Sequence, residues 1–270
     1  MHTHDGQAAL VTGASSGIGR AYAEQLARRG YHPVLVARRA DRLARLAETI
    51  HRDTGRRATV LRADLADEGD LARVETAVLE HEELAVVVNA AGLGGLAPLR
   101  EADPGTLDDL IAVNVTALTR LSRAALIAFG ENGSGSLVNV SSIGAFRPPP
   151  RGAAYGASKA YVLHFSLALQ QEVAPTGIRV QVVLPGPVRT GFFEAAGTSP
   201  LFPYESFVDA DDLVRAALDG LDRGELVCIP TLPDMASWEE VATLQFALRD
   251  AAGLRGVIAE RYAPPHRSTY

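Results

Sequence analysis

The sequence predicts an α/β protein, a doubly wound parallel sheet of about seven strands with helices on both faces. Short apolar runs alternate along the chain with longer amphipathic stretches. Most of these runs are continuous instead of alternating with polar residues, which is typical of strands in a parallel sheet covered on both faces. The first run also ends in a glycine-rich turn that leads directly into an amphipathic segment.

Seven apolar runs are the predicted strands. In chain order they are residues 8–11, 34–36, 60–61, 85–88, 137–140, 180–184 and 226–229. The segments between them carry apolar residues at helical spacing, such as Ile18, Tyr22 and Leu26. Such alternation favours right-handed crossovers within one sheet. We therefore expect residues 1–270 to form a single dinucleotide-binding domain, with about 231–270 as a C-terminal helical extension of it.

The composition excludes several classes of function. The 270 residues are 47% hydrophobic and 21% charged, which is typical of a globular chain. The net charge is −6, with no basic block to attract a nucleic acid. Cys228 is the only cysteine, and we find neither a signal peptide nor an apolar run of membrane-spanning length. These observations predict a cytoplasmic protein that binds no nucleic acid, membrane or metal.

The turn after the first strand, Thr12–Gly19, has the pattern of a phosphate-binding turn. Glycines let the backbone approach a ligand closely, and the following helix N-terminus presents free N–H groups to a phosphate. In this position the pattern predicts a Rossmann-type dinucleotide site. The expected contacts with the dinucleotide are Gly13, Ser15, Ser16, Gly17, Ile18 and Gly19.

The same residues also fit a second motif. Residues 13–17 match G-x-S-x-G, the nucleophile elbow of serine hydrolases, with Ser15 as nucleophile. Only 12 residues precede Gly13, too few to supply the strand and loop of an oxyanion hole. A serine hydrolase is therefore kept only as an alternative, which labelling of Ser15 by a fluorophosphonate would reveal.

Two arginines, Arg38 and Arg39, follow the second strand, where a cofactor with a free 2′-hydroxyl would meet a carboxylate. Guanidinium groups suit a 2′-phosphate, so the sequence favours NADP(H) over NAD(H). Asp64 and Leu65 follow the third strand and are expected at the adenine, although Asp64 could equally cap a helix.

The catalytic candidates are Ser142, Tyr155 and Lys159. Lys159 is the only lysine in the chain and lies four residues after Tyr155, so a helix would place both side chains on one face. An ammonium about 4 Å from a phenol is worth roughly 4 kcal/mol, or about three pKa units. We therefore expect Lys159 to lower the pKa of Tyr155 enough for proton exchange near pH 7. Ser142 ends a predicted strand, where α/β sheets bind ligands.

With these motifs the chain resembles the short-chain dehydrogenase/reductase family. The family pattern TGxxxGxG corresponds to residues 12–19, YxxxK to residues 155–159 and PGxVxT to residues 185–190. The motifs span residues 7 to 230. One departure is visible, because the usual NNAG stands here as Asn89-Ala90-Ala91-Gly92.

The resemblance implies an enzyme that interconverts a ketone or aldehyde and an alcohol by hydride transfer. It implies Tyr155 as general acid or base, with Ser142 bonded to the substrate oxygen. It further implies that Lys159 holds the nicotinamide ribose and that Asn114 holds a water of a proton relay. The remaining implied cofactor contacts are Asn89, Ala91, Gly92, Pro185, Gly186, Val188 and Thr190. Relatives with this fold also imply a homodimer or homotetramer, paired through the helices after strands four and five.

The substrate pocket is expected in the segments that leave the sheet at its carboxyl edge. Its candidate residues are Leu93, Gly94, Ile143, Phe146, Phe192 and Phe193. This lining is apolar and predicts a hydrophobic ketone or alcohol. The alternative to an enzyme is a regulator that senses NAD(P) without catalysis, and the complete catalytic set argues against it.

Overall fold

The computed structural model describes residues 4–199, 202–253 and 256–262. The chain divides into two compact units, Met1–Thr231 and Leu232–Tyr270. Among its described residues, 232–253 and 256–262, the second unit contains one long helix, α9, whose bounds are given below, and a 3₁₀ turn at Glu260–Tyr262.

The strands are β1 (Ala8–Thr12), β2 (His32–Ala37), β3 (Thr59–Arg62), β4 (Leu84–Asn89), β5 (Gly135–Val140), β6 (Ile178–Val183), β7 (Val188–Arg189), β8 (Val208–Asp209) and β9 (Val227–Cys228). The helices are α1 (Gly17–Arg28), α2 (Ala40–Thr54), α3 (Glu68–Leu79), α4 (Pro104–Ile111), α5 (Leu118–Asn132), α6 (Ala153–Val173), α7 (Phe192–Ala195), α8 (Ala210–Asp222) and α9 (Ala236–Gly253).

The predicted fold class is confirmed. Seven strands form one sheet in the order β3-β2-β1-β4-β5-β6-β9, and every neighbouring pair is parallel. Each predicted run falls on one of these strands. The strand order reverses between β1 and β4, so the connections diverge at their carboxyl ends and leave a crevice there.

Successive residues of the central strands pack into two separate cores. In β1, Ala9 and Val11 belong to one buried cluster, whereas Ala8 and Leu10 belong to the other. Both faces of the sheet are therefore covered. This explains why the strand sequences are apolar throughout.

A second, two-stranded sheet was not predicted. β7 and β8 pair in parallel through Val188 and Val208, and they bracket the segment that carries α7. Strands of two residues are too short to show any periodicity in the sequence.

The sequence predicts no apolar run of membrane-spanning length, but the helical stretch Pro104–Asn132 is long enough. By length and composition it is apolar enough to cross a membrane, although half of its most apolar window is buried inside the fold. A helix that packs on a parallel sheet and a helix that contacts lipid both bury apolar side chains away from water. Length and apolar composition therefore do not distinguish the two kinds of helix.

Candidate active site

The glycine turn between β1 and α1 depends on the absence of side chains. Gly13 and Gly17 have φ angles of +68° and +55°, in the left-handed region that favours glycine. A Cβ on Gly13 would lie 2.9 Å from the Cα of Ala91, and one on Gly19 would lie 2.5 Å from the oxygen of Gly13. The turn therefore packs directly on the loop that follows β4.

Thr12 fixes these two segments together. Its Oγ1 accepts hydrogen bonds from the backbone N–H groups of Ala90 and Ala91, both at 3.1 Å, and donates to the oxygen of Val88 at 3.3 Å. Residue 90 takes part in these bonds through its backbone N–H and not through its side chain. The family pattern has asparagine at this position, and the alanine found here keeps the hydrogen bonds between Thr12 and the loop after β4.

A cleft of about 1310 Å³ lies at the carboxyl edge of the sheet, above this join. Pockets for one small ligand have about 300–1,000 Å³, so this cleft has room for a dinucleotide and a substrate together. The predicted cofactor residues that line it are Gly13, Ser15, Ser16, Gly17, Ile18, Gly19, Arg38, Arg39, Asp64, Leu65, Ala91, Gly92, Tyr155, Lys159, Pro185, Gly186, Val188 and Thr190.

Three arginines line one end of the cleft, the predicted Arg38 and Arg39 and the unpredicted Arg42. Arg39 donates to the hydroxyls of Ser15 and Ser16 at 2.8 and 2.9 Å. Partial burial lowers the pKa of Arg39, and the positive charges of Arg42 and Arg38 lower it further. Such a concentration of cations favours an anionic ligand. The helical spacing of Arg42 from Arg38 was the signal in the sequence that could have identified it.

Asp64 lies near this arginine end of the cleft. One of its oxygens is 3.8 Å from Nη1 of Arg38, and the other accepts from the N–H of Ala66 at 3.1 Å. The residue that caps α3 is Asp67, which accepts from the N–H of Asp70 at 2.8 Å. Asp64 is therefore not the cap of that helix.

Ser142, Tyr155 and Lys159 meet in the same cleft. Ser142 follows β5, and the other two residues lie in the first turns of α6. The hydroxyl of Ser142 lies close enough to the phenol of Tyr155 to lower its pKa. Nζ of Lys159 lies 5.8 Å from the centre of the Tyr155 ring and donates to the oxygen of Val140 at 3.1 Å. The i, i+4 spacing thus places both side chains on one helix face, as predicted.

The net shift of the Tyr155 pKa is opposite in direction to the one that the sequence predicts. Burial raises the pKa of Tyr155, and the contribution that lowers it is the hydrogen bond from Ser142. Lys159 is only 6% exposed, and burial lowers the pKa of its own ammonium to about 8. The physical reason is desolvation, which disfavours both the phenolate and the ammonium.

Asn114 lies in a π-helical turn, Ala112–Ala117, that separates α4 from α5. Its Oδ1 accepts from the N–H of Leu93 at 2.8 Å, and its Nδ2 donates to the oxygen of Leu93 at 2.9 Å and to Oγ of Ser158 at 3.0 Å. A Cβ on Gly92 would lie 3.4 Å from Nζ of Lys159 and 3.5 Å from Oδ1 of Asn114. Asn114 and Lys159 therefore both approach the backbone of Gly92. Asn114 itself is not among the residues that line the cleft.

Asn89 does not line the cleft. It is buried, and its amide donates to Oδ1 of Asn139 at 2.9 Å and to Oγ of Ser122 at 3.2 Å. Asn139 in turn donates to Oγ of Ser166 at 3.0 Å. These bonds tie β4 and β5 to α5 and α6, so the side chain of Asn89 supports the sheet beneath the site.

The predicted substrate residues separate into two groups. Leu93, Ile143, Phe192 and Phe193 line the cleft. Gly94 lies beneath the ring of Phe192, and Phe146 is exposed outside the cleft. Further apolar residues that the sequence did not assign to the substrate wall are Leu96, Val113, Pro148, Pro149, Pro150 and Phe202. Only the proline run gave a signal in the sequence.

The hydrolase alternative lacks a base. The hydroxyl of Ser15 accepts from the guanidinium of Arg39, which cannot take a proton. None of the histidines in the described part of the chain lines the cleft. Within the same residues, no group of three or more His, Cys, Asp or Glu side chains could hold a metal ion.

The fold and the cleft together define a Rossmann-type protein that binds a dinucleotide next to a Ser–Tyr–Lys set. Residues 7–200 match the short chain dehydrogenase family. The chain belongs to this short-chain dehydrogenase/reductase family. It is therefore an oxidoreductase of the kind that uses NAD(P) on alcohol and keto groups.

Three similar proteins illustrate the relationship. The 17-beta-hydroxysteroid dehydrogenase type 3 of Rattus norvegicus is 34% identical over 225 residues, which cover 83% of this chain and 72% of that protein. A short-chain dehydrogenase from Sphingobium yanoikuyae, solved in complex with NADPH, is 39% identical with a TM-score of 0.89. It covers 95% of this chain and 100% of its own. The bulky-bulky ketone specific alcohol dehydrogenase from Comamonas testosteroni is 39% identical with a TM-score of 0.86, over 96% of this chain and 99% of its own.

Proposed function

We propose that this protein is an NADP(H)-dependent reductase of apolar ketones, with Tyr155 as the group that gives the proton to the carbonyl oxygen. The observation that carries the proposal is the meeting of Ser142, Tyr155 and Lys159 in the cleft that the glycine turn opens. A positioned acid beside a dinucleotide site provides the two components that carbonyl reduction needs.

The residues of the cleft fit a nicotinamide dinucleotide. The glycines of the turn at residues 13–19 leave its backbone open to a ligand, and α1 begins within this turn, at Gly17. Backbone N–H groups there are available to a pyrophosphate. When bound, the nicotinamide supplies the hydride for reduction or accepts it in oxidation. The ribose next to it would be held by Lys159 and Tyr155.

Tyr155 supplies the proton that balances the hydride. As the carbonyl carbon gains a hydride, its oxygen gains negative charge and takes the phenolic proton, which leaves an alcohol and a phenolate. Ser142 lies beside the same phenol and would turn its single hydroxyl proton from the phenol to the substrate oxygen, which fixes the position of that oxygen. Lys159 stabilises the phenolate that forms, since its ammonium lies over the Tyr155 ring.

The proton that returns to Tyr155 after reduction would pass inward, from bulk solvent to the phenolate. Oδ1 of Asn114 and Nζ of Lys159 both approach Gly92, and the second lone pair of Oδ1 is the one available to a water that also contacts Nζ. The π-helical turn supports this role, because such turns are frequent at functional sites and here it carries the asparagine.

Substitution of the tyrosine tests this assignment. We expect Tyr155→Phe to lower kcat for ketone reduction by at least about 100-fold, because it removes the acid, while the Kd for NADPH changes little. Tyr161→Phe is the matched control, since Tyr161 lies on the same helix and its hydroxyl bonds Thr119 at 2.8 Å outside the cleft. Turnover of Tyr155→Phe at the wild-type rate would refute the assignment.

The preference for NADP(H) is supported by the arginine end of the cleft. Arg38, Arg39 and Arg42 face the same region, with one carboxylate, Asp64, beside them. A 2′-phosphate would neutralise this positive charge, whereas a free ribose hydroxyl would not. The structure solved with NADPH from Sphingobium yanoikuyae is in agreement with this preference.

Removal of one guanidinium tests the preference. Arg39→Ala should weaken the binding of NADPH by about tenfold or more, because a charge-assisted bond to phosphate is lost, and should leave NADH binding nearly unchanged. Arg45→Ala is the control, since Arg45 pairs with Asp41 on the exposed face of α2 and does not line the cleft. Equal weakening of both cofactors would contradict a phosphate site.

The substrate wall indicates the class of ketone. Most of its residues are aliphatic, aromatic or proline, with Arg147 and Glu194 as the charged residues of the same two segments, and this lining favours apolar groups on the substrate. The wall lies on two sides of Tyr155, with prolines 148–150 before α6 and Phe192 and Phe193 on α7. We therefore infer a ketone that carries a large apolar group on each side of the carbonyl. This class agrees with the name of the Comamonas testosteroni enzyme.

A further inference from the structure

We infer that Gly94 determines substrate specificity through Phe192, whose ring packs on the backbone of Gly94 and lies beside Tyr155. The residue at position 94 thus sets the width of the substrate space next to the reacting oxygen. This inference rests on the proposed function, because it concerns the size of the ketone that the same cleft accepts.

Phe192 lies between Tyr155 and Phe193 in a row of aromatic rings. Its centroid lies 5.6 Å from that of Tyr155, with an angle of 51° between the rings. On its other side it meets Phe193 edge-on at 5.5 Å, and Phe193 meets Phe207 at 5.9 Å. Tilted and edge-on contacts between aromatic rings are favourable beyond the apolar area that they bury. The ring is therefore held by packing on the side away from the tyrosine.

Gly94 provides the space that this ring occupies. A Cβ at position 94 would lie 2.6 Å from Cζ and 3.1 Å from Cε2 of Phe192, and 3.2 Å from Cβ of Ala196. The backbone of Gly94 is outside the left-handed region, so an alanine could adopt its conformation. Glycine is therefore required here by the space for Phe192 and not by the backbone angle.

Local bonds and one packing contact hold the backbone of the segment that carries Phe192. The N–H of Phe192 donates to Oγ1 of Thr190 at 3.3 Å, and its oxygen accepts from Ala196 at 2.9 Å. Thr190 in turn packs on the glycine turn, since a Cβ on Gly17 would lie 2.9 Å from Cγ2 of Thr190. With the backbone fixed and Phe193 behind it, the ring has the cleft as the open direction.

A side chain at position 94 would consequently push the ring toward Tyr155. The loss falls on large ketones, because a bulky group beside the carbonyl occupies the space into which the ring moves. Small ketones and the cofactor bind elsewhere in the cleft or need less room. Position 94 is thus a specificity-determining position that acts without contact between its own side chain and the substrate.

The test compares a diaryl ketone with a methyl ketone, both reduced with NADPH. Gly94→Ala should lower the ratio of kcat/KM for the diaryl ketone to that for the methyl ketone by about tenfold, with NADPH affinity unchanged. Phe192→Ala alone should raise this ratio. The double variant Gly94→Ala with Phe192→Ala should return to within about threefold of Phe192→Ala, because the collision is gone.

Gly95→Ala is the matched control. A Cβ there would lie 2.8 Å from Cδ1 of Leu110 and touches no part of Phe192. It should leave the ratio unchanged even if it lowers the melting temperature. A ratio altered equally by Gly95→Ala, or a double variant without recovery, would overturn the inference.

If Gly94→Ala does not fold, Phe192→Ala still decides, because an unchanged ratio in that variant also overturns the inference. A wild-type protein that reduces neither ketone with NADPH or NADH would instead defeat the proposed function. If the wild-type protein reduces the ketones but the variants leave the ratio of the two kcat/KM values unchanged, only the role of Gly94 is refuted.

Discussion

At the scale of single residues, burial determines the ionisation behaviour of the site. Tyr155 and Lys159 are both desolvated, so the pKa of the phenol rises and that of the ammonium falls. Ser142 opposes the first of these effects through its bond to the phenol. The hydroxyl of Ser142 therefore helps to keep Tyr155 within a useful pH range.

We predict that Ser142→Ala raises the pKa of Tyr155 further, because the bond that stabilises the phenolate is lost. The sign follows from the reaction, since alcohol oxidation needs the phenolate and thus gains rate as pH rises through that pKa. The rising limb of kcat/KM against pH for alcohol oxidation should move to higher pH. Ser142→Thr keeps a hydroxyl and should keep the limb in place. A lower kcat with an unmoved limb would show that Ser142 acts only on the substrate.

The sequence predicted which residues meet, but not how deeply they are buried. Tyr155 and Lys159 share a face because of their spacing, and Ser142 joins them because strands of a parallel sheet end at one edge. The burial of these side chains depends on which residues pack over α6. The spacing of residues along the sequence carries no information about that packing. This is why the direction of the Tyr155 shift was wrong, and why Asn89 and Phe146 were expected in the cleft.

At the scale of elements, α6 and the proline segment before it fit together through a glycine. A Cβ on Gly156 would lie 2.5 Å from Cβ and 2.9 Å from Cα of Pro148. Pro148 and its neighbours line the cleft beside Tyr155. The glycine between Tyr155 and Lys159 thus lets the proline segment pack against α6.

We predict that Gly156→Ala lowers both the melting temperature and kcat, because the proline segment must move away from α6. Overpacking of this kind costs about 1–3 kcal/mol. The same substitution at Gly130, in α5, meets nothing within 4 Å and should stabilise the protein by about 0.5–1 kcal/mol. Thermal unfolding and steady-state kinetics of the two variants measure the contrast. Equal effects at both positions would contradict the packing argument.

Elements with a strong periodic pattern were predictable, and short or irregular ones were not. The seven strands of the sheet are apolar because both faces are covered, and each was identified. The π-helical turn at Ala112–Ala117 has the same apolar spacing as the helices around it, so its extra residue leaves no mark in the sequence. Only the resemblance to a family pointed to Asn114 within it.

At the scale of the whole molecule, the buried lysine costs stability. Its pKa is about 8 in the folded state and 10.5 ordinarily. Below pH 8 both states bind the proton and the cost is complete, at up to about 3 kcal/mol for such a shift. Between pH 8 and 10.5 the unfolded state binds more protons than the folded one, so stability rises with pH and the cost disappears.

We predict that Lys159→Met increases the free energy of unfolding at pH 7 and abolishes turnover. The difference in the free energy of unfolding between this variant and the wild type should decrease between pH 8 and pH 10. Urea unfolding of both proteins at pH 7 and pH 9.5 measures this difference. Lys159→Arg keeps a charge at every pH and should show no gain. A Met variant less stable than wild type at pH 7 would mean that the bond to Val140 outweighs desolvation.

The single lysine has a practical consequence for the chemist. Reagents that acylate or reductively alkylate amines find just one such side chain in this chain, and it lies inside the cleft. If the dinucleotide binds as proposed above, it shields this amine from such a reagent. The rate at which a small acylating agent adds mass at Lys159 would then report the fraction of the protein that carries a nucleotide.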